Sequence, residues 1–327
     1  MKVVFCNKLN RAWMDNIEAL GKEFPDARFV TKKEGMDGEI EDAEAIVGGE
    51  LPLHVIQRAK NLKIIFVPYA GMDAVPLDDI KARGIRIANV HANASFVAER
   101  CIAMALAFYG RIIDYHNDLK KNRQWHGYWA TGSIKDTWNS IQGRSCAVIG
   151  TGAIGTNIAK YLKIFGCPII GFKKRSVAGT LKYFDQITMD LTEALEKSEL
   201  VFVALPLTRE TKGLLSAQVL SGMKGKFLVN VGRGEVVDEE GLYLALKDGT
   251  LKGAAIDAWY NYPGEGETRA EPSKYPITDL PNVIISPHLA GFTPQAAMKI
   301  IEGTIDNIRA YLKTGRAETE MNPTLMY

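Results

Sequence analysis

Residues 145–176, SCAVIGTGAIGTNIAKYLKIFGCPIIGFKKRS, constrain the fold more than any other stretch of the chain. Cys146-Ala147-Val148-Ile149 is an apolar run of strand length, followed by Gly150, Gly152 and Gly155 in the spacing G-x-G-x-x-G. Ile154, Ile158, Leu162 and Phe165 then recur at helical intervals, which predicts an amphipathic helix that begins at the glycines and stops near Gly166. Residues 168–172 supply a second strand. Strand, glycine turn, helix, strand is the βαβ unit of a dinucleotide-binding fold. Gly150 allows the sharp turn, Gly152 admits a pyrophosphate to the backbone, and Gly155 lets the helix lie close on the sheet. The helix dipole and its first-turn amides, those of Ala153 and Ile154 among them, face the phosphates. The competing reading is a tight βα turn whose glycines serve packing alone.

The end of the second strand decides between coenzymes. An NAD site wants an acid about 20 residues past the glycines, bonded to the ribose 2′-OH. This chain offers Lys173-Lys174-Arg175 there, three cations and no carboxylate. NADP(H) is therefore expected over NAD(H), with NAD(H) use still open. A charge run can also be no more than a solvated face.

A chain of 327 residues exceeds what one core usually serves, so two domains are expected. The net charge of +2 argues against nucleic-acid or membrane partners. Cys6, Cys101, Cys146 and Cys167 have no metal-ligand spacing. They read as reduced thiols of a cytoplasmic protein, and no metal is expected. The opening MKVVFCNKLNR reads as a strand, its apolar run being too short for a signal peptide. Nothing approaches the roughly 18 apolar residues of a spanning helix.

Before the glycine unit, strands are expected at residues 2–6, 28–30, 45–47, 63–67 and 85–88, with helices near 11–20, 52–59 and 76–82. The alternation predicts a smaller α/β domain with a parallel sheet. Tyr69, Ala70 and Gly71 follow a strand, so their amides lie at the carboxyl edge, where ligands bind. An ordinary βα turn would look the same. One long helix is expected from Ser95 to about Leu119, with Ser95 as its cap and an imperfect capping box, since Glu99 falls one residue late. Trp125, Tyr128, Trp129 and Trp138 then lie among polar residues and glycines, as in an intersubunit or interdomain contact. After the glycine unit, strands are expected at 200–204, 227–231, 253–258 and 283–286, and helices near 191–197, 216–220 and 239–247. Residues 294–311 read as a helix returning to the first domain.

Three strand ends carry polar residues that packing does not need. Arg233 stands between Gly232 and Gly234 directly after a strand, and an arginine there can meet a carboxylate with two parallel hydrogen bonds. Asp257 ends the next strand, and His288 follows Pro287 at the end of another. The glycine unit, Leu205-Pro206-Leu207-Thr208, residues 230–238, 253–258 and 287–291 together resemble the D-isomer-specific 2-hydroxyacid dehydrogenases over nearly the whole chain. The resemblance implies two Rossmann-like doubly wound domains: a coenzyme domain, 99–289, inserted into a discontinuous flavodoxin-like substrate domain, 1–98 plus 290–327. It also implies a homodimer built on the coenzyme domains, with the substrate in the cleft.

Carried over by position, Arg233 is expected to hold the carboxylate of a 2-oxo acid and polarise its carbonyl. His288 is expected to exchange the proton, and Asp257 to position the nicotinamide carboxamide. Pro206, Thr211 and Val231 fall at coenzyme contacts, and Tyr69, Ala70 and Gly71 with Arg233 and His288 at substrate contacts. An imidazole pKa of about 6.5 suits proton exchange at neutral pH. A capping histidine and a surface ion pair are the plain alternatives for His288 and Arg233.

One departure matters. The family places a glutamate five residues after the aspartate, and here that position is Tyr262, before Pro263. A phenol can orient His288 but cannot stabilise its cation by charge. The rate of reduction should therefore fall earlier as pH rises, unless Glu265 or Glu267 supplies the charge. Leu51, Tyr69, Trp138, Trp259 and Tyr260 are candidates to shape the pocket. The expected activity is hydride transfer between NADP(H) and glyoxylate or hydroxypyruvate. The alternatives are an oxidation on the same frame and a coenzyme-sensing, corepressor-like binding protein.

Overall fold

Short runs of β-branched and apolar residues form the strands, and each is followed by a polar or glycine-containing turn into a helix. The computed structural model describes residues 1–31, 38–72, 75–175 and 181–321. Ser176, which closes the glycine stretch, lies outside them. Two units separate by their internal contacts, Met1–Asn93 with Phe292–Tyr327, and Ala94–Gly291. The sequence placed these boundaries at 98 and 290. The difference arises because the whole of the helix that follows Asn93 packs with the second unit.

The first unit holds β1 (Lys2–Phe5), α1 (Arg11–Glu23), β2 (Arg28–Val30), β3 (Ala45–Val47), α2 (Leu53–Arg58), β4 (Ile64–Val67), α3 (Leu77–Ala82) and β5 (Arg86–Asn89). The strands pair in parallel in the order β2-β1-β3-β4-β5. β1, β3 and β4 are buried throughout, as a parallel sheet covered on both faces requires.

The second unit opens with α4 (Ala94–Tyr109), α5 (Ile112–Asn122) and the single turn α6 (Tyr128–Thr131). The expected single helix from Ser95 to Leu119 is thus two helices. Gly110 N–H closes α4 on Leu106 O, and Arg111 then takes a left-handed φ of 49°, which no continuing helix allows. Ser95 lies inside the first turn of α4 and does not cap it.

There follow β6 (Cys146–Ile149), α7 (Ala153–Ile164), β7 (Ile169–Phe172), β8 (Gln186–Thr188), α8 (Leu191–Glu196), β9 (Leu200–Val203), α9 (Ala217–Ser221), β10 (Phe227–Asn230), α10 (Glu239–Lys247), β11 (Gly253–Ile256) and β12 (Val283–Ile285). All pair in parallel in the order β12-β11-β10-β9-β6-β7-β8. The order reverses between β6 and β9, the switch point at which such sheets bind ligands. α4 seats on this sheet through Phe108, whose ring stacks on Phe227 at 4.3 Å. The chain returns to the first unit in α11 (Pro294–Thr314), capped by Thr293 and ended by Gly315.

Among the described residues no helix is long and apolar enough to cross a membrane. None of them forms a group of three or more His, Cys, Asp or Glu placed to hold a metal ion. All four cysteines are free thiols.

Candidate active site

The glycine turn after β6 fits a dinucleotide. Gly150 has φ +107°, and a Cβ on it would stand 2.7 Å from Ala204 O. A Cβ on Gly155 would stand 1.8 Å from Gly150 O, so only glycine lets α7 start this close to the strand. At Gly152 nothing lies within 4 Å of the Cβ position, which leaves open space over the backbone. The first helical hydrogen bond runs from Thr156 N–H to Gly152 O, and the preceding amides, at Ala153, Ile154 and Gly155, lack an intrahelical acceptor. The buried hydroxyl of Thr151 has no hydrogen-bond partner among the described residues. Open backbone, unbonded amides and an orphaned hydroxyl together suit a pyrophosphate.

Lys173, Lys174 and Arg175 follow β7, with Lys173 half-buried and the other two exposed. Lys174 Nζ donates to Glu210 O at 3.0 Å and lies 3.6 Å from the Glu210 carboxylate. The cations therefore stand where the sequence placed them, and one already has an anionic neighbour from the loop after β9. In that loop Thr211 Oγ1 donates to Pro206 O at 2.6 Å and accepts from Thr208 N–H at 2.8 Å. Thr211 thus folds the Pro206 turn with its own hydroxyl. Val231 is buried, its N–H bonded to Val203 O at 3.1 Å.

Arg233 sits in a turn that β10 builds for it. Asn230, the last residue of β10, accepts Gly232 N–H on Oδ1 at 3.1 Å and donates Nδ2–H to Arg233 O at 3.0 Å. Both flanking glycines are sterically required. A Cβ on Gly232 would lie 2.6 Å from Leu205 O, and one on Gly234 would lie 2.3 Å from Trp259 O. The guanidinium donates Nη1–H to Gly232 O at 2.8 Å, across its own turn.

His288 has φ +56°, a left-handed backbone that is unusual for a residue with a Cβ. Asp257 brackets it. This carboxylate, 1% exposed at the end of β11, accepts Leu289 N–H on Oδ1 at 3.0 Å and Ala290 N–H on Oδ2 at 3.1 Å. Ser286 Oγ–H also donates to Oδ1, and Arg100 Nη2 on α4 donates to Ser286 Oγ at 3.3 Å. With about four lone-pair sites, the carboxylate has three taken by the His288 loop. What the structure establishes for Asp257 is its hold on that loop. Burial, with this carboxylate nearby, pushes the Cys101 thiol well above its usual range.

Trp259 ties the two loops together. Its backbone borders Gly234, and its indole N–H donates to Ser286 O at 2.8 Å. Its own N–H donates to the Tyr262 hydroxyl at 2.9 Å, and the Tyr262 ring lies 5.2 Å from the His288 ring, tilted by 44°. Trp259 and Tyr262 therefore link the turn that carries Arg233 to the loop that carries His288. The loops share the carboxyl edge of the sheet, because β10, β11 and β12 run parallel. Of the two acids considered for the missing charge, Glu267 accepts Gly264 N–H at 3.0 Å, and Glu265 is exposed.

Other expectations change with the side chains in place. Leu51 is buried in the core of the first unit. Trp259 is buried, and Tyr260 is half-buried with its hydroxyl donating to Val237 O at 3.0 Å; both act as struts. Tyr69 lies in the first unit with its ring over Gly49, where a Cβ would be 2.1 Å from it. Ala70 O accepts Asn89 Nδ2–H at 3.1 Å, and Gly71 follows it in the same loop. Trp125, Tyr128, Trp129 and Trp138 are all exposed, Trp129 by 98%. Beside them His126 bridges Asp118, at 2.9 Å, and Asp136, at 3.2 Å. Asn230, Ser286 and Arg100 went unnoticed as functional positions in the sequence. The signal for the first two was present: each is a buried polar residue at or just past a strand end, inside a stretch already singled out.

Residues 102–290 match the family described as D-isomer specific 2-hydroxyacid dehydrogenase, NAD binding domain. A glyoxylate reductase of Thermofilum pendens is 30% identical over 315 residues, 93% of this chain and 86% of its own length. A chloroplastic/mitochondrial formate dehydrogenase of Arabidopsis thaliana is 27% identical over 301 residues, 88% of this chain and 75% of its own. Among solved structures, an NADPH-dependent glyoxylate/hydroxypyruvate reductase of Sinorhizobium meliloti, in complex with NADP and malonate, superposes with a TM-score of 0.78. It is 26% identical, over 99% of this chain and 97% of that one. With its glycine turn at the sheet's switch point and its arginine and histidine after β10 and β12 on the same sheet edge, the chain belongs to the D-isomer specific 2-hydroxyacid dehydrogenase family.

Proposed function

We propose that the protein is an NADP(H)-preferring reductase of small 2-oxo acids, with glyoxylate or hydroxypyruvate as substrate. The observation that carries this reading is the pair of loops bearing Arg233 and His288, tied through Trp259 at the carboxyl edge of the sheet that bears the glycine turn. A bound nicotinamide supplies hydride to the carbonyl carbon. The chain's part is then to hold the acid and deliver a proton. Arg233 takes the carboxylate and polarises the carbonyl oxygen, a task for which a planar guanidinium is suited. His288 gives its proton to that oxygen in reduction and recovers it in oxidation. Tyr262 lies against the His288 ring and limits its orientation. For the first unit we propose only that the amides of Tyr69, Ala70 and Gly71 take an anionic group.

Lys173, Lys174 and Arg175 support the coenzyme preference, since a 2′-phosphate there meets cations and no strand-end carboxylate. The exposed Trp125, Tyr128, Trp129 and Trp138 support a homodimer, because large aromatic side chains left exposed in one segment are enriched at interfaces. The free, mostly buried thiols suit a cytoplasmic enzyme.

The test is a panel of glyoxylate, hydroxypyruvate and pyruvate against NADPH and NADH, followed by coenzyme absorbance. Reduction of at least one acid is expected, with kcat/KM favouring NADPH by about tenfold or more. Tight coenzyme binding without turnover would replace this reading with a coenzyme sensor. Static light scattering that reports one chain per particle would refute the dimer.

A further inference from the structure

We propose that Ser286 and Arg100 are positioning residues for His288, acting through the Asp257 carboxylate. The inference rests on reading His288 as the proton donor and is independent of which acid is the substrate. A left-handed backbone at a residue with a Cβ persists only where its surroundings hold it. At φ +56°, His288 is held from both sides. Upstream, Ser286 N–H donates to Ile256 O and Ser286 O accepts the Trp259 indole. Downstream, the amides of Leu289 and Ala290 end on Asp257.

The orientation of the carboxylate is itself set by Ser286. A guanidinium has no acceptor, so Arg100 Nη2 can only donate to Ser286 Oγ. The single hydroxyl proton is thereby turned toward Asp257 Oδ1, the oxygen that also takes Leu289 N–H. The result is a directed chain from Arg100 on α4, through Ser286 after β12, to Asp257 after β11, and on to the two residues that follow His288. Ser286 is 3% exposed and Asp257 1%, so water does not take over either bond. Without the hydroxyl, each carboxylate oxygen keeps a single amide donor, the carboxylate is held less tightly about its Cβ–Cγ bond, and the His288 ring loses part of its constraint.

The experiment compares full-length S286A, S286T and R100M with the native protein. S286A should lower kcat for 2-oxo acid reduction by about 10- to 100-fold, the usual cost of a catalytic group displaced by about an ångström. The KM for coenzyme should change little. S286T should recover most of the loss, because it keeps the hydroxyl, and R100M should lose less than S286A. The second readout is the ring nitrogen–proton spectrum of histidine-labelled protein, with the His288 signals identified by their loss in H288Q. They should move in S286A and R100M and return in S286T. Native kcat in both S286A and R100M, or His288 signals unmoved in both, overturns the proposal. If S286A does not fold, R100M decides alone by the same two readouts, since its side chain lies on an exposed residue. Full turnover in H288Q would remove the proton-donor reading instead. The ring signals would still test the coupling: moved signals support it and unmoved ones overturn it.

Discussion

The Arg233 loop and the His288 loop lie on the same edge of one sheet and are held in opposite ways. Arg233 is held locally: Asn230, three residues earlier in the chain, accepts from Gly232 and donates to Arg233 itself. His288 is held from a distance. Its clamp, Asp257, lies on another strand, and that clamp is set by Ser286 and by an arginine on a helix far back in the chain. The local device is neutral, and the distant one uses a buried charge. A turn that must present a fixed cation needs only its own amide groups satisfied. A loop held in a left-handed backbone needs the stronger, charge-assisted bonds of a carboxylate.

Removing the two reactive groups should give the largest effects. His288→Gln and Arg233→Gln should each lower kcat/KM for reduction by about 10²–10⁴-fold in initial-rate assays. A large loss in one and none in the other would show that the loops do not serve one site. Next come the two clamps. Asp257→Ala strands three donors and should cost the second unit about 3 kcal/mol or more, whereas Asn230→Ala strands one donor and one acceptor and should cost about 1–3 kcal/mol. Urea midpoints for that unit's transition check the order, and equal shifts would erase the distinction. Gly232→Ala and Gly234→Ala should each cost about 1–3 kcal/mol by forcing a Cβ onto Leu205 O and Trp259 O, with the same midpoint as the measure. Tyr262→Glu should have the smallest effect. Reduction uses the protonated imidazole, and an added carboxylate favours that form. The high-pH limb of the kcat/KM profile should therefore move upward, by less than about one pH unit because Tyr262 is 46% exposed. An unmoved limb would leave Tyr262 with a steric role only.

The same contrast explains what could be read without coordinates. The strands were legible as apolar runs, and the glycine turn as a spacing, because both are local signals. β8 was missed, since Gln186-Ile187-Thr188 offers one apolar residue and becomes a strand only by pairing with β7. The break after Tyr109 was missed because Gly110 is tolerated in helical patterns and the left-handed turn at Arg111 leaves no compositional mark. In the site, Arg233 between two glycines and His288 after a proline stood out. That Asp257 spends its oxygens on Leu289, Ala290 and Ser286 could not be read, because no short-range pattern joins residue 257 to residue 290. The bracing bonds of Trp259 and Tyr260 are hidden for a related reason: aromatic residues near a site look alike in sequence whether they line it or brace it.

The split of the first unit sets the order in which the protein can be made. β1 begins at Lys2, yet Ile301, Ile305 and Ile308 of α11, which pack in its cluster with Val3 and Phe5, come only after the whole second unit. Arg309 reaches back to Glu23, and Thr319 to Asn89. A nascent chain therefore carries one face of its first sheet only partly covered, by α1, until α11 has been made, while the uninterrupted second unit already has every strand it needs. A chain released before residue 294 would hold a finished coenzyme domain and a partly covered apolar sheet face that invites chaperones.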